Sequence, residues 1–368
     1  MHPFVCSAVK TRRIKILSLI LVAVMTPPAI AQPLATQTLG HKPLCEPSAA
    51  LIIDCPDKHG RCLLVGDNEI REALLLFDVT GSGVDPNSQR PLALDDATEL
   101  SDIEALASLP NSGIGVFASH GRNSDCEAKK NRRRFGVIDT LTTTPVAVTV
   151  TESKRIDCAG LFGSSTPDEA LIKSVCAAIT EAEQAADAVV AKAGGKPQCN
   201  ETHAYNAEGA VNFSDTAAAD LWIGLRSPLL PVHPTDNGRR NLAVLMHMQG
   251  VGAYSFDRIA ILDMGGRGIR DLAYGDGWVW VIAGPPEDQA EGSEQPFELR
   301  RFSPDALKAG TTIVPEVINR NLPPSSEGLA IFNHQAIVLV DGDAGDDDAS
   351  SACGRDAKVV MIPLAHEP

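Results

Sequence analysis

The stretch NAEGAVNFSDTAAADLWIGLRSPLL at 206–230 places an acid, Glu208, before small residues and a base, Arg226, at the end of the next apolar run. Four other stretches share this arrangement: DIEALASLPNSGIGVFASHGRN from Asp102, IRDLAYGDGWVWVIAGPP from Ile269, SSEGLAIFNHQAIVLVDGD from Ser325 and, more weakly, CEPSAALIIDCPDKHGRCLLVGDNE from Cys45. Their leading acids are Glu46, Glu104, Glu208, Asp271 and Glu327. Polar groups also mark the trailing ends: Asp67, His120, Arg122, Arg226, Asp341 and Asp343, with Arg270 beside Asp271.

Gathered at one mouth, Asp67, Glu104, Glu208, Asp271, Glu327, Asp341 and Asp343 would supply the oxygens that a hard cation such as calcium takes in irregular geometry. A bound cation would relieve their mutual repulsion. Each acid could equally cap its own strand by accepting backbone N–H bonds. Arg122, Arg226 and Arg270 could grip a carboxylate or phosphate bidentately, or Arg226 could simply brace Glu208. His120 is the histidine at a repeat tip, and with Glu208 and Arg226 it forms the candidate catalytic set, as general base or ligand. Ser119 is not its nucleophilic partner, because adjacent strand residues point to opposite faces. No G-x-S-x-G elbow supports a serine esterase.

Each stretch reads as strand, turn, strand, with Asp276-Gly277, Asn333-His334 and the longer LPNSG at the turns. The leading acids are 58, 63 and 56 residues apart in three gaps and 104 apart in the gap from Glu104 to Glu208. The shorter spacing fits a four-stranded unit, and further strand signals follow each hairpin. The expected fold is therefore an all-β propeller of five or six four-stranded blades, as a single domain over 45–368. Small residues suit innermost strands, which crowd at the axis. A hairpin also starts and ends on one face, so Glu208 and Arg226 should meet. The long gap holds PDEALIKSVCAAITEAEQAADAVVAKAGG, an Ala-rich helical insertion at about 167–195 that starts with Pro167 and stops at Gly194-Gly195. Closure could come from a strand in PLATQTL, within the 32–44 segment, joining AKVVMIPL; otherwise that segment is a disordered remnant.

Residues 1–31 read as a secretory signal: KTRRIK, the apolar ILSLILVAVM, then AIA with cleavage after Ala31. The apolar run is too short to span a bilayer. The chain carries a net charge of −15, and the leader takes only bases away, so nucleic acid and anionic lipid are poor partners. Eight cysteines remain after Cys6 leaves, an even set that points to disulfides in an exported protein, and the absence of C-x-x-C spacing argues against zinc. DGDAGDDD lacks EF-hand spacing, GGRGIR opens no helix, and KKNRRRF balances neighbouring acids. Trp222, Trp278 and Trp280 are expected to pack within blades.

NAEG followed by LWIGLRSPL, GGRGIRDL, VIAGP and EGLAIFNHQAIVLVDGD resembles an exported bacterial family, the domain-of-unknown-function family three-six-one-six. The resemblance covers most of 45–364. It is distantly similar to the esterase-like domain of phytases, and it implies a propeller but no established reaction. The second repeat departs from the pattern, with Ala105 where Glu-Gly would stand. The expected function is calcium-assisted binding or hydrolysis of a small anionic or ester substrate at the channel mouth, by a periplasmic or extracellular monomer without nucleotide or organic cofactor. The alternative is a non-catalytic propeller that binds a protein or envelope partner.

Overall fold

The computed structural model describes residues 34–57, 60–95, 100–141, 145–155, 169–191, 202–214, 220–231, 240–248, 255–287, 295–308, 312–342 and 356–365, with Cys158, Phe162 and Cys199. The expected leader and Asp343 lie outside them.

The strands form five sheets arranged as the blades of a β-propeller. A short strand β1 (Thr36–Thr38) precedes the first blade, which comprises β2 (Pro47–Asp54), β3 (Arg61–Asp67) and β4 (Ala73–Thr80), with β5 (Gly83–Val84) and β6 (Arg90–Ala93) on the outer edge of β4. Blade two is β7 (Ile103–Ser108), β8 (Ile114–Ala118), β9 (Phe135–Ile138) and β10 (Thr149–Val150). A helix, α1 (Glu169–Ala191), follows within the bounds expected for the insertion. Blade three contains β11 (Asn206–Asn212), β12 (Leu221–Ser227), β13 (Leu230–Pro231), β14 (Arg240–Met248) and β15 (Phe256–Asp263). Blade four contains β16 (Gly268–Gly275), β17 (Trp278–Gly284), β18 (Phe297–Phe302) and β20 (Glu316–Leu322), while β19 (Thr312–Ile313) runs back beside β15. Blade five is β21 (Ser326–Phe332), β22 (Gln335–Val340) and β23 (Lys358–Pro363), completed by β1, which pairs antiparallel with β23. Blade number is five, and the strand from PLATQTL does close the ring.

The alternation of apolar side chains explains the stacking. A β-strand sends successive side chains to opposite faces, and here both faces are buried. In β17, Val279, Val281 and Ala283 pack towards blade three, whereas Trp280 and Ile282 pack towards blade five. In β22, Ala336 and Val338 face blade four, and Ile337 and Leu339 face blade one. Each blade interface accordingly has its own apolar cluster, so the core is a ring of five slabs. Burial at about 25 cal/mol per Å² makes each slab a major stabilising term.

The turns follow the expected chemistry. Asp276 and Gly277 have φ of 53° and 78°, and Asn333 and His334 have 46° and 57°, the left-handed pairs that a tight hairpin requires. One glycine is needed for close approach: a Cβ on Gly268 would stand 2.1 Å from the Arg226 carbonyl oxygen. That contact accounts for GGRGIR as a blade junction.

Helix α1 sets Val175, Ala178 and Ile179 into the slab between blades two and three. Disulfides Cys126–Cys199 and Cys158–Cys176 tie down the region around it, and Cys55–Cys62 staples blade one. Cys45 is also disulfide-bonded, to a partner outside the described residues. Among the described residues no helix is long and apolar enough to cross a membrane.

Candidate functional site

The innermost strands β2, β7, β11, β16 and β21 touch one another in a closed ring around the axis. All five break register at the same place. Pro47 and Ala49 oppose Asp67 and Gly66, which leaves Ser48 between them unpaired. The same shift skips Glu104 in β7, Glu208 in β11, Arg270 in β16 and Glu327 in β21. Such a bulge adds one residue to a strand and re-aims its side chain. Here it sends one side chain per blade to a single mouth of the channel.

Three of those five are glutamates, and their partners differ. Glu208 accepts from Arg226 Nη1 at 2.7 Å, from Asn206 Nδ2 at 2.9 Å and from Arg270 Nη1 at 3.2 Å. Arg270 Nη1 also donates to Glu327 at 2.9 Å. The remaining donors of Arg270 are spent on carbonyls: Nε on Pro285 at 3.1 Å and Nη2 on Glu287 at 3.1 Å. Arg226 Nε similarly reaches the Pro286 carbonyl at 3.2 Å. The Pro285–Glu287 segment after β17 thus roofs the arginine side of the mouth. Glu208 and Arg270 are almost fully buried, whereas the Glu327 side chain keeps 15% of its surface exposed.

Glu104 stands apart. It is 6% exposed, and no hydrogen bond or ion pair reaches its carboxyl among the described residues. Burial, then the charges of Glu208, Asp102 and Glu327, push its pKa well above the ordinary range against the pull of Arg226. Glu208 belongs to the adjoining blade three and Glu327 to blade five, so Glu104 feels one carboxylate beside it and one across the channel. Its neighbour Asp102 has a left-handed backbone (φ 60°). The Asp102 carboxylate is held by Arg132 at 2.9 Å and by the Ser119 hydroxyl, and burial raises its pKa against Arg132. On the other side, the Ser48 hydroxyl donates to the Ile103 carbonyl and joins blades one and two.

The other predicted residues have different work. Asp67 caps a turn, accepting backbone N–H bonds from Cys45 (3.0 Å), Glu46 (2.9 Å), Glu69 (2.9 Å) and Ile70 (3.2 Å). Asp271 joins blades four and five through the amides of Leu272 (2.7 Å) and Leu329 (2.6 Å), and burial pushes its pKa well up. Arg122 binds α1 through Glu183 at 2.7 Å and Asp187 at 2.8 Å. His120 lies between Phe135 and Tyr205, with Nδ1 on the Ala118 carbonyl at 2.8 Å, and burial lowers its pKa to about 4. Asp341 donates its backbone N–H to the Ser325 carbonyl at 2.9 Å. Glu46 flanks the first bulge, whose occupant is Ser48.

Glu104, Glu208 and Glu327 are the side chains that could share a hard cation. Two of them are already held by arginine. Among the described residues, the set of three donor groups whose ligand atoms lie within 4.8 Å of one another is Cys55, Cys62 and Asp78, a disulfide beside a carboxylate paired with Arg90. Among the described residues the mouth carboxylates form no such group. What they do present is an acid without a partner facing two carboxylates held by arginine.

Sequence reasoning missed Ser48, Asp102 and Asn206 as members of this shell. One signal could have found Ser48: the residue after each bulge is Ala49, Ala105, Gly209, Asp271 or Gly328, small in four blades of five.

Fold and mouth together define a five-bladed propeller with a polar channel site. The chain is similar to an exo-β-1,3-galactanase from Phanerochaete chrysosporium solved with galactose, at 10% identity and a TM-score of 0.43, covering 91% of this chain and 65% of that one. It therefore spans somewhat less than two thirds of the galactanase. It is also similar to a luciferin-regenerating enzyme (9% identity, TM-score 0.38, 90% and 95% covered) and to a glucose dehydrogenase (10% identity, TM-score 0.34, 87% and 84% covered). No protein-family model matches the chain, and no curated protein matches it in sequence.

Proposed function

We propose that the channel mouth is an acid–base site that hydrolyses a small polar substrate. The observation that carries this reading is Glu104, buried and without a hydrogen-bond partner among the described residues, within electrostatic reach of Glu208 on the adjoining blade and Glu327 across the channel. Two carboxyl groups whose surroundings drive them apart divide the acid and base roles between them. Glu104 keeps its proton to higher pH than an ordinary carboxyl and is the general acid. Glu208 and Glu327, paired with Arg226 and Arg270, supply the base. Arg226 and Arg270 are positioning residues here, since their described donors go to carboxylates and to carbonyls of the roof. The three disulfides fit an oxidising compartment, and export belongs to the same proposal.

The test is turnover of chromogenic aryl substrates by the purified protein and by Glu104→Gln. Glutamine keeps the shape of a neutral carboxyl but has no proton to give. A general acid contributes about 10²–10⁴-fold, so the variant should lose at least about a hundredfold in kcat while its unfolding transition stays intact. Full activity in Glu104→Gln would remove Glu104 from the chemistry.

A further inference from the structure

We infer that the substrate is a neutral polyhydroxylated molecule, cleaved at a glycosidic bond, and not an anionic phosphate or carboxylate. This rests on the acid–base reading of the mouth and names its substrate class.

The arginines decide the matter of charge. Arg270 has Nε, Nη1 and Nη2 all engaged, by the carbonyls of Pro285 and Glu287 and the carboxylates of Glu208 and Glu327. Arg226 spends Nε on the Pro286 carbonyl and Nη1 on Glu208. Two guanidiniums therefore balance two carboxylates, and the third glutamate, Glu104, adds acid with no cation of its own. An anionic substrate would enter a mouth of carboxyl groups whose positive charge is already committed. Like charges so placed disfavour binding.

Hydroxyl groups face the opposite situation. A carboxylate accepts at about four lone-pair sites, and hydrogen bonds from hydroxyls to carboxylates are among the strong, charge-assisted kind. Glu104, Glu208 and Glu327 come from blades two, three and five, so they approach a centrally bound molecule from three directions. A sugar ring presents donors in that manner. Ester cleavage would instead need donors aimed at a developing oxyanion, and the described guanidinium donors are taken by the roof carbonyls and by the mouth carboxylates themselves.

The reaction balances without a further co-reactant. The Glu104 proton passes to the glycosidic oxygen as the bond from that oxygen to the anomeric carbon breaks, the electron pair leaving with the oxygen. Water adds its oxygen to the anomeric carbon and gives a proton to the carboxylate of Glu208 or Glu327. That proton returns through solvent to Glu104, and the products are an alcohol and a hemiacetal. This is the division of labour by which carboxyl pairs hydrolyse glycosides.

The experiment compares 4-nitrophenyl pyranosides, 4-nitrophenyl acetate and 4-nitrophenyl phosphate on the full chain, Glu104→Gln and Glu327→Gln. Melting curves with neutral disaccharides and with inorganic phosphate accompany it. The expected result is turnover of a pyranoside that depends on Glu104, with no Glu104-dependent turnover of the other two substrates. It should be lost in Glu104→Gln, and a neutral disaccharide should raise Tm saturably where phosphate does not. Turnover of the ester or phosphate that depends on Glu104, with none of pyranosides, would overturn the substrate class and leave the acid–base site standing. Turnover independent of Glu104 would overturn the site itself. No pyranoside turnover and no saccharide-dependent rise in Tm would overturn the inference outright.

Discussion

Replacing Glu104 with glutamine changes one proton and almost no volume, so its effect on stability isolates the electrostatics of the channel. The ordinary glutamate value is 4.5, and in the fold Glu104 titrates well above it, because of burial first and then the charges of Glu208, Asp102 and Glu327. Between those two pH values the folded chain binds a proton that the unfolded chain has released. Glu104 therefore contributes a loss of stability as pH rises through this window, of about 1.4 kcal/mol per pH unit. Below about pH 4.5 both states are protonated and the penalty vanishes. Glutamine carries no such proton, so Glu104→Gln should match wild type near pH 4 and then gain on it by about 1.4 kcal/mol per unit until Glu104 ionises in the fold. The assay is denaturant unfolding of both proteins at a series of pH values from 4 to 8, plotted as a stability difference. A flat difference would refute the reasoning, since it would mean that Glu104 sees solvent or a cation. A difference of the opposite slope would mean that it is salt-bridged.

Four further outcomes follow from the same contacts. Arg270→Met strands Glu208 and Glu327 together with the Pro285 and Glu287 carbonyls, and breaking a buried pair from one side costs about 3–5 kcal/mol; a loss below about 1 kcal/mol in denaturant unfolding would show the network to be solvent-screened. His120, lowered from 6.5 to about 4, excludes a proton that the unfolded chain accepts, so its own contribution to stability should fall by about 3 kcal/mol as pH drops through that window. His120→Gln should flatten the profile there, and an imidazole seen by NMR to titrate near 6.5 would contradict its burial. Deleting residues 34–38 removes β1 from the edge of β23 and should lower Tm by several degrees; an unchanged Tm would mean that the ring closes without it. Calcium added after EDTA should leave Tm unmoved, and a saturable rise would restore the mouth carboxylates as ligands.

Much of the scaffold could be read because its rules are local. Two-faced burial writes itself as unbroken apolar strands such as VWVIAG, and left-handed turns announce themselves through Asp276-Gly277 and Asn333-His334. Glu104, Glu208 and Glu327 could be placed at equivalent positions because the acid recurs in register with the small residue behind it, and the Glu208–Arg226 contact could be foreseen because a hairpin returns to the face it left. Assignment failed where one residue of parity decided the outcome. Asp271 lies a single position past its bulge, so its carboxylate turns from the channel to the amides of Leu272 and Leu329, while Arg270 takes the mouth. An acid that caps and an acid that faces the axis are the same letter, and only the unpaired residue between two register partners tells them apart. Arg122 failed for a different reason: its partners Glu183 and Asp187 lie about sixty residues away on an inserted helix, a contact that local spacing does not encode. The mouth's chemistry turns on this distinction. The bulge brings one side chain from every blade to the same level, and a serine in the first blade with an arginine in the fourth turn what would be a ring of like charges into an acid facing two anchored carboxylates.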